Sequence, residues 1–290
     1  MTNAISNFCG LPPQYSGPAN SKVVLTPVPY DGTSTWVKGA DKGPEAIIRA
    51  SANMELYDIE TDSQVYLQGI FTDESVAGRA ASPEQMVEAV REKVQSHLAN
   101  GKFVVVLGGE HSVSIGAIQA HVRQFPGVSV LQLDAHSDLR QEYEGSRNNH
   151  ACVMARAREL CPIVQVGIRS MDISETEGLQ RDRIFFAERI HDNTAWIDQV
   201  VGKLAEQVYI TIDLDVFDPS IMPSTGTPEP GGLRWYDVLA LMKAVCGRRK
   251  VVGLDVVEMC PVANQWAPDF LAAKLIYKIL SYKFLADGRR

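Results

Sequence analysis

Three short segments concentrate side chains that can hold divalent cations. Asp134-Ala135-His136-Ser137-Asp138 follows the apolar run VSVLQL, Asp213-Leu214-Asp215 ends the run VYITI, and His111 follows FVVVL after Gly108-Gly109-Glu110. Residues i, i+2 and i+4 of an extended chain project to one side, so Asp134, His136 and Asp138 could converge beyond a strand's end. Burying such a group without a cation carries a heavy desolvation cost, although a solvated loop would also explain it. Asp213 and Asp215 raise the same conflict, because two like charges side by side push a carboxylate pKa up unless cations are present. The alternative there is a strand running out into solvent. His111 alone would read as a structural histidine at a strand end; its weight comes from the company it keeps. Together His111, Asp134, His136, Asp138, Asp213 and Asp215 offer two imidazoles and four carboxylates. This oxygen-rich set without cysteine favours hard or borderline ions such as Mn²⁺ over a thiolate zinc site. Six ligands exceed the need of one catalytic ion and suit two, with some carboxylates bridging.

Positioning these groups requires a rigid frame, and the chain carries one. Apolar, β-branched runs occur at 23–28, 103–109, 128–134, 163–168, 208–214 and 251–257. Runs of this length, apolar on both alternating sides, suit strands buried on both faces of a parallel sheet. Between them, 83–99 has Pro83 near its start, Met86, Val87, Val90, Val94 and Leu98 spaced for one apolar helical face, and Asn100-Gly101 as a stop. The segments 112–125, 194–207, 234–246 and 269–286 read as further helices, with Ser112 placed to cap the first. Alternating strands and helices predict an α/β fold with a mostly parallel central sheet, whose active-site groups gather at the carboxyl ends of the strands. With no internal repeat or linker evident, residues 1–290 are expected to form a single domain, preceded over 1–20 by an irregular arm rich in Pro, Gly and Asn.

Composition narrows the function. A net charge of −7 counts against a nucleic-acid-binding surface and is compatible with cationic substrates. There is no apolar run of the ~18 residues a membrane span needs, and the N-terminal residues lack the pattern of a secretory signal, so a soluble cytoplasmic protein is expected. The five scattered cysteines form no CxxC pair and read as reduced packing residues.

The segments GGEHS, DAHSD, ITIDLDVFDPSIMPSTGTPEPGG and GLDVVEMCP, in this order over about 104–260, resemble the signature blocks of the ureohydrolase family, which includes arginases and agmatinases. Asp31-Gly32-Thr33 and Gly43-Pro44-Glu45 resemble its N-terminal segment, so the resemblance spans nearly the whole chain. It implies a three-layer α/β/α sandwich and two Mn²⁺ ions, one held by His111, Asp134, Asp138 and Asp213, the other by Asp134, His136, Asp213 and Asp215. It further implies attack of an ion-activated hydroxide on a guanidinium carbon, giving urea and an amine, with Asp138 passing a proton to the departing nitrogen. His150 matches the family's proton-shuttling histidine, although Ala151 follows it where many relatives have glycine; a capping or solvated histidine is the other reading. Glu258 would pair with the guanidinium. A homo-oligomer, trimer or hexamer, is implied by the resemblance alone.

Substrate choice depends on the far end of the molecule. Arginases carry an Asn-bearing loop after their DAHxD block, whereas Asp138-Leu139-Arg140 followed by Tyr143 resembles agmatinases, as does PEPGG at 228–232. Agmatine, a small cationic guanidino compound, split to putrescine and urea, is the expected substrate. Thr227 matches a family position near the guanidinium, and Asp172 falls where a carboxylate could meet the distal amine, or is a surface-loop acid. Arg140 instead suits the carboxylate of a guanidino acid or arginine, and N-aminopropylagmatine, with its longer cationic tail, is a further alternative. A one-zinc deacetylase of the same broad fold would need a His-His pair, which the sequence lacks. A metal-binding pseudo-enzyme would have lost ligands, and all six are present.

Overall fold

The apolar runs align side by side as strands in a computed structural model that describes residues 7–76, 82–191 and 193–288. The strands are β1 (Val23–Val28), β2 (Ile70–Thr72), β3 (Phe103–Gly108), β4 (Ser129–Leu133), β5 (Ile163–Ile168), β6 (Ile184–Phe186), β7 (Gln207–Asp213) and β8 (Lys250–Val257). They form one eight-stranded sheet in the order β2-β1-β3-β8-β7-β4-β5-β6, and every pairing within it is parallel. The six long strands lie where the apolar runs predict them. The two edge strands, β2 and β6, escaped the sequence reading because three residues each are too few to show a pattern.

The connecting helices are α1 (Pro13–Ser16), α2 (Gly43–Ser51), α3 (Pro83–Ala99), α4 (Val113–Gln124), α5 (Val153–Arg158), α6 (Ala187–Ile190), α7 (Ala195–Lys203), α8 (Trp235–Arg248) and α9 (Trp266–Ala286). Alternation along the strands feeds two separate cores. Val104 and Val106 pack with side chains of α3, α4 and α5 on one face, while Val105 and Leu107 pack with α2, α7, α8 and α9 on the other. This is the three-layer α/β/α arrangement expected. Helix α3 keeps its expected bounds, and Ser82 Oγ caps it by accepting from Gln85 N at 3.3 Å. Helix α7 stops at Lys203 rather than 207, because Gln207 is already paired in β7. Ser112 does not cap α4: its hydroxyl donates to Glu110 Oε1 at 2.7 Å instead.

The described part of the expected N-terminal arm is fastened down. Phe8 is fully buried, its N–H donates to Thr72 Oγ1 at 2.8 Å, and Cys9 N donates to Ser51 Oγ at 2.7 Å. Residues 1–6 lie outside the described residues. The cysteines are unpaired, and all but Cys161 are buried. No described helix is long and apolar enough to cross a membrane.

Helix α9 is apolar almost all round because it is covered by both α2 and α8, and it carries a buried cation into that layer. Lys278 Nζ lies 3.0 Å from Asp58 Oδ2 and 2.7 Å from Glu60 Oε2. Burial raises the Asp58 carboxyl, but Thr61 and Lys278 outweigh it and hold the group below its usual range. Removing one partner strands a buried charge, so Lys278→Met should destabilise the fold by about 3 kcal/mol in urea unfolding at neutral pH. Because the folded carboxyl is depressed, its contribution is present above the unfolded pKa of about 3.9 and is lost as pH falls through the folded value. The gap between wild type and variant should therefore narrow below about pH 4.

Candidate metal centre and cavity

Five strand ends converge on one cavity of about 300 Å³, lined by residues following β1, β3, β4, β7 and β8, with further residues from the loops after β5 and around 150. The glycine pair after β3 lets this happen: a Cβ on Gly109 would lie 1.9 Å from the Tyr30 carbonyl oxygen, so only glycine permits the ends of β1 and β3 to approach this closely. His111 then turns inward. Its Nδ1 lies 2.9 Å from Asp138 Oδ2, 3.2 Å from Asp134 Oδ2 and 3.4 Å from Asp213 Oδ2. His136 Nδ1 lies 2.9 Å from Asp215 Oδ2 and 3.6 Å from Asp134 Oδ1. Two groups that could hold a metal ion result, His111/Asp134/Asp213 and Asp134/His136/Asp215, with Asp134 common to both.

The carboxylates converge by routes that simple alternation does not describe. β4 ends before Asp134, and Asp138 takes a left-handed backbone, φ 52°, with its carbonyl accepting from Met154 N and Ala155 N at the start of α5. β7 ends at Asp213, and Leu214–Val216 form a 3₁₀ turn in which Asp213 accepts from Asp215 N at 2.9 Å. Glu258, just past β8, is also left-handed, φ 63°, and accepts from His111 N at 2.7 Å. Two non-glycine residues held at positive φ in one cavity mark backbone strain concentrated at the site.

The donor set fits divalent cations. Thr211 Oγ1 gives its hydrogen to Asp255 Oδ1 at 2.7 Å and so accepts from His111 Nε2 at 2.9 Å. With the hydrogen that Thr211 accepts on Nε2, the nitrogen left to face a cation is Nδ1, which is buried without a hydrogen bond among three carboxylate oxygens. Burial alone would depress both imidazoles, yet Asp134, Asp138 and Asp213 raise His111 well above its ordinary value, and Asp215 and Asp134 raise His136. Asp213 is raised by burial, then by Asp215 and Asp134; Asp138 is raised by burial, then by Asp134. Asp134 goes the other way: burial would raise it, but His111 and His136 hold it below its usual range, so the imidazoles serve as the positive partners that this cluster of buried carboxylates needs.

The remaining expected residues sort into three groups. His150 and Thr227 line the cavity, and so does Glu258, whose carboxyl is pushed well up by burial and by Glu110. The His150 Nδ1 sits 3.1 Å from Thr33 Oγ1, and burial followed by His111 and His136 pulls this imidazole down to about 4, so it is neutral at pH 7. Capping of the turn 150–152 falls to Asn149, not His150. Asp172 lines the cavity but is already engaged: Oδ1 accepts from Ser174 N and Oγ, and Oδ2 lies 3.5 Å from Arg140 Nη2. Arg140 is engaged in turn, its guanidinium lying over the Tyr143 ring at 4.6 Å.

Several positioning residues were missed. Gln132 Nε2 donates to Asp134 Oδ2 at 2.7 Å, and Gln165 Nε2 donates to Gln132 Oε1 at 2.6 Å across the β4–β5 pair. Both glutamines interrupt apolar strands, VLQLD and VQVGI, and that was the available signal. Glu175 accepts from Ser137 Oγ and Leu139 N, fixing the turn that carries Asp138. Arg169 ties the carbonyls of Asp215 and Glu229 together at 2.6 and 2.8 Å, which fastens PEPGG beside the metal-binding turn.

Comparison with known proteins gives a consistent picture. The family model described as the arginase family matches residues 21–281. The chain is 38% identical over 274 residues to N(1)-aminopropylagmatine ureohydrolase of Synechocystis sp., covering 91% of this chain and 90% of that one. It is 40% identical over 272 residues to the protein of the same name from Thermus thermophilus, covering 92% of each. The crystal structure of agmatine ureohydrolase of Thermoplasma volcanium is similar at a TM-score of 0.82 and 31% identity, covering 92% of each chain.

The His111–Thr211–Asp255 chain generates a test of the donor geometry. Thr211→Val removes the acceptor that keeps the hydrogen on Nε2, and hydrogen-bonding partners of this kind typically contribute 10- to 100-fold in metal affinity. Mn²⁺ titration by calorimetry should show about two sites per wild-type chain, and one of them weakened by roughly that factor in the variant. An unchanged isotherm would show that the chain beyond His111 is idle.

Proposed function

The chain belongs to the arginase family and is a ureohydrolase, a hydrolase acting on the C–N bonds of linear amidines; we propose that it cleaves agmatine to putrescine and urea at a centre holding two Mn²⁺ ions. The observation that carries this reading is the buried Nδ1 of His111, without a hydrogen bond and facing three carboxylates in a cavity that Glu258 also lines. His111, Asp134, Asp138 and Asp213 would hold one ion, and Asp134, His136, Asp213 and Asp215 the other. When bound, the ions supply Lewis acidity that brings the pKa of water toward neutrality.

The chain's own residues do the rest. Glu258, whose carboxyl is short of a positive partner, pairs with the guanidinium and orients its carbon toward the carboxylate cluster. Asp138 carries the proton to the departing amine nitrogen, and His150, neutral at pH 7, accepts and returns protons between the cavity and solvent. Thr227 flanks the guanidinium. Asp172 serves the substrate's tail indirectly: by neutralising Arg140 it removes the one cation that would attract a carboxylate-bearing substrate, which supports agmatine over arginine or a guanidino acid. A second reading, N-aminopropylagmatine, is favoured by the names of relatives 38% and 40% identical to this chain.

Urea release measured as kcat/KM on agmatine, N-aminopropylagmatine, arginine and guanidinobutyrate tests the proposal. Agmatine or its aminopropyl derivative should lead by orders of magnitude, and turnover of arginine alone would overturn it. In the same assay Glu258→Gln, which keeps an acceptor for His111 N but loses the charge, should cost roughly 10- to 100-fold on the best substrate.

A further inference from the structure

The loop after β1 presents an aromatic ring that the chemistry above does not use. Trp36 lines the cavity yet is 78% exposed, and Val37 beside it is 44% exposed. Elsewhere this loop is held firmly. Thr33 N donates to Glu110 Oε1 at 3.3 Å and Thr33 Oγ1 accepts from His150 N at 3.0 Å, while Asp31 Oδ2 accepts from Gly39 N at 2.6 Å and Cys260 Sγ donates to the Lys38 carbonyl at 3.5 Å. The segment is thus anchored on both sides and offers an indole to solvent at its tip, where that ring forms part of the cavity lining.

The position of that tip relative to the guanidinium end is fixed by Gly226. A Cβ there would lie 3.4 Å from the Val37 carbonyl oxygen and 3.7 Å from Glu258 Oε2, so Val37 and Glu258 flank the same small space. Trp36 is the next residue out, its Cα about 3.8 Å from that of Val37. An extended agmatine places its ammonium roughly 7 Å from the guanidinium carbon, and an aminopropyl extension carries a second ammonium about 5 Å farther. A chain anchored at Glu258 therefore passes the mouth of the cavity at the scale of this loop.

Charge decides what kind of tail suits the mouth. Asp172 and Glu175 stand with the carboxylate cluster along the lining, and Arg140 is neutralised by Asp172. The other aromatic ring of the lining, Tyr143, already carries Arg140 over its face. Among the described residues no cation of the chain lies over the Trp36 ring: the cation–aromatic pairs there involve Trp266, Tyr143, Phe186, Tyr277, Tyr282, Phe103 and Phe284. Indole is the best of the aromatic faces for an ammonium.

We propose that Trp36 is a specificity-determining residue that receives the ammonium-bearing tail of the substrate. The inference rests on the ureohydrolase reading of the same cavity and adds the group that reads the tail. It is tested with the Mn²⁺-loaded enzyme on three guanidines that differ only beyond the four-carbon chain: N-aminopropylagmatine, agmatine and butylguanidine, whose tail is uncharged. In Trp36→Ala the ratio of kcat/KM for aminopropylagmatine to that for butylguanidine should fall about threefold to thirtyfold, through KM, with agmatine between them. Trp36→Phe should recover much of the ratio. Loss by one common factor on all three substrates, or an unchanged ratio, would overturn the role of Trp36 while leaving the ureohydrolase reading intact. A wild-type enzyme that releases urea from none of the three would overturn that reading and this inference with it.

Discussion

The structure depends on one electrostatic constraint: more negative charge is gathered at the ends of its central strands than a dry interior tolerates. Asp134, Asp138, Asp213, Asp215 and Glu110 are buried in one neighbourhood with half-buried Glu258 beside them, and two imidazoles are basic groups directly against the cluster. The carboxyls of Asp213 and Glu258 are raised and the imidazoles of His111 and His136 are raised with them. A group that shifts to gain a proton reports missing positive charge, whichever sign it bears itself. In the function proposed, metal ions would answer this at one end of the cavity and a guanidinium at the other. On that proposal the same deficit would account for both the cofactor and the class of substrate.

Holding like charges together costs free energy that the rest of the fold must offset, and the means are visible in the supporting contacts. Asp134 is steadied by Gln132, itself steadied by Gln165; His111 is steadied by Thr211 and Asp255; the turn bearing Asp138 is fixed by Glu175. Tyr209 adds a second donor to Asp255 at 2.6 Å, so a buried carboxylate far from solvent is fully engaged by hydroxyls. These contacts run back into strands β4, β5, β7 and β8, where parallel pairing on both sides leaves little freedom to relax. The positive φ values of Asp138 and Glu258 are maintained by this frame rather than by local preference.

What the sequence made legible follows from how local each signal is. Strands β1, β3, β4, β5, β7 and β8 were readable because a strand buried on both faces must be apolar throughout, and helix α3 because its Pro, apolar face and Asn-Gly stop all agree. The six metal-ligand candidates were readable because charged residues abruptly end those runs. The convergence of Asp138 was foreseen for an incomplete reason: alternation was assumed, whereas a left-handed residue does the turning. Ser112 looked like a helix cap because capping is a sequence-local expectation, but the buried Glu110 two residues back competes for its hydroxyl and wins. Asp172 reads as a group for the distal amine or a surface-loop acid; its pairing with Arg140 was not legible because Arg140 lies on another loop and no spacing rule relates the two.

The reacting end and the discriminating end of the cavity are built from different material. Metal-binding and guanidinium-facing groups sit at the ends of central strands, where a displaced atom would disturb pairing on both sides. Residues at the mouth sit on loops: Trp36 on one, and Arg140, Tyr143 and Asp172 joined by a guanidinium over a ring and one partly exposed ion pair. A partly exposed pair of this kind contributes little to stability, so such residues can change with small cost to the fold. The chemistry of urea formation is thereby fixed by the sheet, while the tail that accompanies the guanidino group is left to side chains that can be exchanged without moving it.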